Sequence, residues 1–231
     1  MTTTLTSTSR RTDARRAAVT LALAASLAIA GFTALGAVFD YPQILKQPTA
    51  EILELYRQHQ TAISLWFAVL TLSSALMAPA GIWLGRLAGG GIGRWIAVTG
   101  IGAAVVQVLG LQRWVFLVPG ISADALDPTQ QAAAEARFEL LHTLLGTAIG
   151  ETVGYACTAA FTALVAAGLH RTVLPTWLTV TGYLAAGLIA TGVLAPVLAL
   201  TGLTNFGGYV LWCAWLLVVA WILVRRTAAG A

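Results

Sequence analysis

Four uncharged stretches of the chain are long enough to cross a lipid bilayer, and they constrain the fold more than any other feature. They are residues 17–39, 58–85, 95–112 and 172–224, which contain 23, 28, 18 and 53 residues. Because one helical crossing takes about 20 residues, the longest stretch must hold two crossings. A further apolar stretch, 140–169, is broken only by the charge of Glu151. The sequence therefore predicts six crossings, and their continuous apolar character favours helices over barrel strands.

The fold class predicted from these stretches is all-α, a polytopic membrane helix bundle of about six transmembrane helices. The predicted spans are residues 17–39, 62–84, 95–118, 138–169, 176–199 and 207–224. They form one transmembrane domain, 17–226, between a disordered basic tail at 1–16 and a short C-terminal tail at 227–231. The composition agrees, since 10% of the residues are charged, whereas soluble domains have about 25%.

The basic residues predict how the bundle is oriented. Nine of the 13 Lys and Arg residues fall on one side of the predicted spans, namely Arg10, Arg11, Arg15, Arg16, Arg86, Arg94, Arg171, Arg225 and Arg226. Three fall on the other side, and Arg113 lies within a span. The positive-inside rule therefore predicts that both termini are cytoplasmic. The net charge of +4 belongs to this rim, so we expect the lipid bilayer as the surrounding partner and no nucleic-acid partner.

Two opposite charges, Arg113 and Glu151, lie inside predicted spans. A charge at the centre of a bilayer costs roughly 2.5 to 3.5 kcal/mol on insertion scales, so such groups usually face the bundle interior or a polar cavity. For Arg113 two interpretations remain open. It either extends to the interface beside Trp114, or it turns inward toward an acid, with Asp40, Glu139 and Glu151 as the candidates.

The fourth predicted span carries most of the candidate chemistry. Gly146, Gly150 and Gly154 recur every four residues and predict a face against which another helix packs closely. Thr147, Glu151 and Tyr155 recur at the same interval on an adjoining face, because residues four apart lie on one side of a helix. We predict Glu151 as the functional centre; the alternative is a buried acid that only braces neighbouring helices.

Other polar and aromatic residues are predicted to lie near this level. Glu139 and His142 are three residues apart, which is the ligand spacing of di-iron bundles, but the second copy that such a site needs is not in the sequence. We therefore expect these two residues to be hydrogen-bonded or to line a pocket, with no metal and no cofactor. Tyr209 and Trp212 with Asn205 are predicted to add lining, although helix packing is the alternative role for Trp212.

Four short motifs resemble those of one protein family. They are FDYP at residues 39–42, QRWVFLVP at 112–119, LGxxxGExxGY at 145–155 and NxxGYxxW at 205–212. Together they are similar to the pattern of the domain of unknown function 4386 family, bacterial integral membrane proteins. The resemblance covers about residues 17–225. It implies the helical architecture and a set of polar family positions, Asp40, Arg113, Glu151 and Asn205, with no established activity.

These observations leave three hypotheses for function. In the first, the bundle binds a lipophilic or small amphipathic ligand in a polar intramembrane pocket open toward the outer leaflet. In the second, it is an intramembrane enzyme, a cyclase or isomerase of a lipophilic substrate, with Glu151 or Asp40 as general acid or base. In the third, it is a small transporter. The resemblance and the preference for Arg over Lys predict a multi-pass protein of a bacterial cytoplasmic membrane.

Overall fold

The computed structural model describes residues 2–198 and 200–229, and 87% of the chain is helical. Its α-helices are α1 Thr2–Phe39, α2 Thr49–Gln58, α3 Gln60–Ala75, α4 Met77–Ala88, α5 Gly90–Leu111, α6 Arg113–Phe116, α7 Val118–Asp124, α8 Gln131–Leu141, α9 Gly154–Gly168, α10 Thr176–Ala190 and α11 Thr201–Ala229. Two 3-10 helices, Gln43–Lys46 and Thr191–Leu194, and one π-helix, His142–Val153, complete these elements. The predicted all-α fold class is confirmed.

Six helical segments are long and apolar enough to cross a membrane, as predicted. We call them spans 1 to 6: Ser9–Phe39, Gln60–Ala88, Gly90–Asp124, Gln131–Gly168, Thr176–Leu194 and Thr201–Arg226. The largest difference from the predicted boundaries is at the start of span 1, at Ser9 instead of residue 17, and spans 3 to 6 also differ. Span 3 continues to Asp124, whereas span 5 ends at Leu194; its predicted end, Ala199, lies outside the described residues. The protein is thus a multi-pass membrane protein.

The spans form a closed ring in chain order. Each span packs against the next one along the chain, and span 6 packs back against span 1. The buried apolar residues fall into two clusters. One is centred on Phe161 and Trp215 and includes Leu21 of span 1, and the other surrounds Trp114 at the opposite end of the ring. Each span therefore contributes one face to the interior and leaves the other to lipid, as the exposed side chains of Val98, Val105 and others indicate.

The N-terminal segment differs from its prediction. Residues 1–16 were expected to be disordered, but in the structure α1 begins at Thr2. The reason lies in contacts that the composition does not reveal. Asp13 is 8% exposed and pairs with Arg86 of span 2 across 3.7 Å, and Ala14 is buried in the core. The predicted C-terminal tail is also partly helical, since α11 runs to Ala229; residues 230–231 lie outside the described residues.

Two of the spans contain breaks that follow from proline. The turn at Leu76 separates α3 from α4 and comes three residues before Pro79. Span 3 is interrupted at Gln112, and again at Leu117 just before Pro119. Proline lacks an N–H group and crowds the preceding turn, so it interrupts a helix on its N-terminal side. The break at Gln112, directly before Arg113, lies too far from Pro119 to have this cause.

The connection between spans 1 and 2 covers one end of the ring. The sequence 50–56 predicts a short amphipathic helix, and the structure contains α2 there. Its apolar side chains Ile52, Leu53 and Tyr56 are buried against the protein. The Tyr56 hydroxyl lies 2.7 Å from Ser64 Oγ and donates to the Trp114 carbonyl oxygen at 3.1 Å. These bonds fix the position of Trp114, and with it the backbone next to Arg113.

The predicted orientation leads to a labelling experiment. In a background with Cys157 and Cys213 replaced by Ala, a cysteine at Glu54 is expected to react with a membrane-impermeant maleimide in intact cells. A cysteine at Gly91 is expected to react only after permeabilisation. Both positions are solvent-exposed in the structure, so access depends on the side of the membrane alone. Labelling of residue 91 in intact cells would contradict cytoplasmic termini.

Candidate functional site

The three glycines of span 4 face span 3, as the sequence predicts. A Cβ atom on Gly110 of span 3 would lie 2.7 Å from the Cα atom of Gly150, so the two backbones are in direct contact. On either side of this contact a span 3 side chain lies over a glycine. A Cβ atom on Gly146 would lie 2.6 Å from Arg113 Nη2, and one on Gly154 would lie 3.1 Å from Gln107 Cγ. The glycine face therefore provides the space that two interior polar side chains occupy.

The same part of span 4 is a π-helix, His142–Val153. In a π-helix the backbone N–H bonds to the carbonyl five residues earlier; long examples are rare and are often found at functional sites. The Thr152 hydroxyl follows the same step, donating to the Thr147 carbonyl oxygen at 2.9 Å. Glu151 lies within this element. The sequence did not reveal the π-helix, because its glycine spacing fits an α-helix equally well.

Arg113 faces the interior of the ring. It is 4% exposed, which excludes the alternative that its side chain extends to the interface. Its Nη1 donates to the Gly110 carbonyl oxygen, its Nη2 lies 3.4 Å from His142 Nδ1, and its Cζ lies 5.3 Å from the centre of the Trp114 ring. Among the described residues no acid forms a direct ion pair with Arg113, and its Nε has no hydrogen-bond partner. The direct contacts of the cation are therefore all with uncharged groups or rings.

Glu151 is half-buried, and several polar side chains lie in its vicinity. Arg113, Tyr41 and two further tyrosines, Tyr155 and Tyr209, are all close enough to interact with it electrostatically. Within the described part of the chain, its carboxyl group forms no hydrogen bond and no direct ion pair. Three tyrosine hydroxyls, one guanidinium and one carboxyl group thus share one interior region, which we call the Glu151 site.

Tyr41 is a member of this site that was not predicted from the sequence, where it appears only within the motif at residues 39–42. It follows span 1 and packs its ring against Phe32 and Phe67, with centroids 6.0 and 5.3 Å apart. Burial raises the pKa of the Tyr41 hydroxyl well above its usual range; Glu151 adds to the rise and Arg113 opposes it. Tyr41 therefore remains a neutral hydrogen-bond donor at physiological pH. Only the tertiary fold brings this residue next to span 4.

A second missed feature is a polar chain across three spans. Ser74 Oγ donates to Gln107 Oε1 at 3.1 Å, and Gln107 Nε2 donates to Thr158 Oγ1 at 2.7 Å. The Tyr209 hydroxyl lies close to Gln107 and Thr158. Gln107 is an amide within an otherwise apolar stretch of span 3, so its sequence position was a usable signal. The chain links the Glu151 site to the interior of spans 2, 3 and 4.

The predicted lining residues of span 6 are inside the bundle. Tyr209 packs edge to face against both Tyr155 and Trp212, with centroids 5.7 Å apart in each pair. Asn205 is 6% exposed and donates from Nδ2 to the Ile189 carbonyl oxygen at 2.8 Å. Asn205 therefore ties span 6 to the end of α10, and Trp212 is a buried core residue whose indole N–H has no partner among the described residues. Of the three residues, Tyr209 is the one that packs against Tyr155 and lies near Glu151.

The structure does not bring two of the predicted residues to the Glu151 site. Asp40 is exposed, with a positive φ of 49° just after span 1, and forms no direct ion pair with Arg113. Glu139 is also exposed and accepts a hydrogen bond from Thr49 Oγ1 at 3.0 Å. Its neighbour His142 points the other way, with its ring stacked on Phe138 at 5.8 Å. The two residues therefore contact different elements, since Glu139 bonds Thr49 of α2 and His142 Nδ1 lies near Arg113 of α6.

The described residues contain no metal cluster, and two surface depressions lie away from Glu151. Among the described residues, no group of three His, Cys, Asp or Glu side chains is placed to hold a metal ion. The two best-defined surface depressions are elsewhere: one is lined by residues 57–62, and the other by Thr12, Arg15, Arg16, Val19, Thr20 and Trp83. The pocket that the sequence predicts is neither of these two.

Comparison with known proteins agrees with the architecture. The search of curated proteins and the search of solved structures both give no match. A family model described as "Domain of unknown function (DUF4386)" matches residues 17–220, which is nearly the whole transmembrane domain and includes Arg113, Glu151 and Asn205. The chain therefore belongs to the DUF4386 family.

Proposed function

We propose that this protein binds an amphipathic molecule whose polar end reaches the Glu151 site between the spans of the ring. The observation that carries the proposal is Arg113, which is 4% exposed and has no direct acidic partner among the described residues. A buried cation is costly unless it is paired and fully hydrogen-bonded. An acceptor group of a ligand, such as a carboxylate, phosphate or carbonyl oxygen, would supply the missing partner.

The Glu151 carboxyl group and the tyrosine hydroxyls further restrict which ligands fit the site. The Glu151 carboxyl group has no hydrogen bond among the described residues, and a hydroxyl or amine of a ligand would donate to it. Tyr41 and Tyr155 add two hydroxyl groups that can donate or accept. The ligand therefore carries both an acceptor and a donor at its polar end, and an apolar remainder that stays among the spans or in lipid.

An enzyme that acts on the same molecule is the second candidate. The observation that favours it is a half-buried acid beside three tyrosine hydroxyls, since such an acid can exchange a proton with a bound substrate. Glu151 would be the general acid or base. In either case the proposed location is a bacterial cytoplasmic membrane, where the surrounding lipid is the source of an amphipathic ligand.

The test compares how much of a co-purified molecule the wild-type protein and the Glu151→Gln variant retain. Glu139→Gln is the matched control. Both changes replace a carboxyl by an amide on span 4, but Glu139 is exposed. Mass spectrometry of an extract from purified wild-type protein is expected to show one non-protein molecule in near-stoichiometric amount. Glu151→Gln should lower its occupancy about tenfold or more, as one lost hydrogen bond to a charged group costs about 1.5 to 3 kcal/mol.

The control variant and the possible outcomes distinguish a ligand-binding role of Glu151 from a purely structural one. Glu139→Gln is expected to retain the molecule at the wild-type level, and both variants should keep the wild-type melting temperature. Equal occupancy in wild type and Glu151→Gln would refute the proposal. A Glu151→Gln variant that misfolds, while its folded fraction still binds the molecule, identifies Glu151 as a structural brace. Conversion of the molecule to a product by wild-type protein alone would establish the enzyme.

A further inference from the structure

A surface depression lies near the start of span 1, at the basic end of the helix bundle. The Glu151 site is near the opposite end of span 1, where Tyr41 follows it. The lining of the depression consists of Thr12, Arg15, Arg16, Val19, Thr20 and Trp83. Five of these residues belong to span 1, and Trp83 belongs to span 2. The depression is therefore built at the junction of two packed helices, on the side where nine of the 13 basic residues are found.

The depression carries uncompensated positive charge. The guanidinium carbons of Arg16 and Arg86 lie 4.9 and 4.7 Å from the centre of the Trp83 ring. Asp13 pairs with Arg86 across 3.7 Å and offsets that charge. Neither Arg15 nor Arg16 has an acidic partner within the described part of the chain, and both are exposed. Two cations thus remain at the depression, one of them positioned by an aromatic ring.

An apolar strip continues from these cations along span 1. Val19 and Leu23 follow Arg15 at intervals of four residues, so all three lie on one side of the helix. Val19 is 53% exposed and Leu23 is 49% exposed. Within a membrane-spanning helix, such side chains face lipid tails. Trp83, at the same level as the cations, has the ring type that is enriched where the hydrocarbon meets the headgroups.

We infer that this depression binds the phosphate headgroup of an anionic glycerophospholipid, with an acyl chain along Val19 and Leu23. Arg15 and Arg16 supply the charge-assisted hydrogen bonds that a phosphate oxygen accepts. The strip of exposed apolar side chains distinguishes a lipid from free phosphate, which would gain nothing from it. The basic side of a membrane protein faces the cytoplasmic leaflet, where anionic lipids are concentrated.

The experiment titrates the purified protein in detergent with phosphatidylglycerol or phosphatidylcholine of identical chains, and measures the bound lipid by native mass spectrometry. The test variant is Arg15→Gln/Arg16→Gln. The matched control is Arg10→Gln/Arg11→Gln, which removes the same charge from exposed positions five residues earlier, outside the depression. A third arm adds inorganic phosphate at millimolar concentration to the wild-type protein.

Wild-type protein is expected to bind phosphatidylglycerol more tightly than phosphatidylcholine, and excess inorganic phosphate should not displace it. The test variant should weaken phosphatidylglycerol binding about tenfold or more, since each arginine at an anionic surface contributes roughly a factor of five. The control should stay within about twofold of wild type, because Arg10 and Arg11 lie outside the depression and contribute only screened long-range attraction. Equal losses of phosphatidylglycerol affinity in both variants would refute a specific site and indicate nonspecific electrostatic attraction. Displacement of the lipid by inorganic phosphate would show that the depression binds phosphate and not a lipid. The lipid preference and the phosphate arm use wild-type protein, so they decide the matter even if the test variant does not fold.

Discussion

Gly110→Ala is expected to destabilise the protein by about 2 kcal/mol, although alanine is the better helix former. The added methyl group would lie 2.7 Å from the Cα atom of Gly150 and 2.9 Å from the Leu145 carbonyl oxygen. Both atoms belong to the backbone of span 4, so spans 3 and 4 must move apart. Overpacking of this kind costs about 1 to 3 kcal/mol. The midpoint of unfolding in detergent micelles, followed by circular dichroism, measures the loss.

Gly102→Ala on the same span is the matched control. A Cβ atom there would meet only Cys157 Sγ at 3.5 Å, an ordinary contact. Its expected effect is a gain of up to about 1 kcal/mol, which is the difference in helix propensity between glycine and alanine. If Gly110→Ala were as stable as Gly102→Ala, the direct backbone contact between Gly110 and Gly150 would be wrong.

Arg113→Ala is expected to cost about 2 to 5 kcal/mol of stability. The variant loses a charged hydrogen bond to the Gly110 carbonyl oxygen, worth about 1.5 to 3 kcal/mol, and a cation–ring contact with Trp114, worth about 0.5 to 2 kcal/mol. Arg94→Ala removes an exposed arginine from the same span and should change stability by less than about 0.5 kcal/mol. Chemical unfolding of the three proteins side by side gives the comparison.

A double-mutant cycle then tests whether Arg113 and Glu151 act on each other. Because the two groups interact electrostatically without touching, the cost of Arg113→Ala should shrink in a Glu151→Gln background by about 0.5 kcal/mol or more. Asp40→Asn is the control background, since Asp40 is exposed and apart from Arg113. There the two effects should add within about 0.5 kcal/mol. Strict additivity in the Glu151→Gln background would mean that Arg113 is held by neutral groups alone.

The spans were predictable because length and apolar composition determine whether a helix crosses a bilayer. The inward position of Arg113 and the close packing of the span 4 glycines were also accessible, since each depends on one helix and the cost of burying or exposing a side chain. The glycine spacing is a local property, and the structure confirms the contact that it predicts. Three of the four motifs that resemble the DUF4386 family, at residues 112–119, 145–155 and 205–212, also lie within these spans.

The remaining features depend on which spans pack against each other. The apolar faces of the spans are too similar for the sequence to predict those pairs. The contact of span 6 with span 1 and the approach of Tyr41 to span 4 depend on packing between distant parts of the chain. Asp40 was predicted as a candidate acid partner of Arg113 and as one of the polar positions that the family resemblance implies. In the structure its neighbour Tyr41 takes that place. Gln107 was visible as a polar residue in span 3, and its omission shows that uncharged polar residues within spans carry information too.

The most direct test of the Glu151 site is an experimental electron-density map of the wild-type protein crystallised from a lipidic phase. We expect non-protein density within hydrogen-bonding distance of Arg113 and of the Glu151 carboxyl group, continuing into an apolar tail between the spans. A map in which Arg113 and Glu151 form a direct ion pair, with no density beside them, would contradict it.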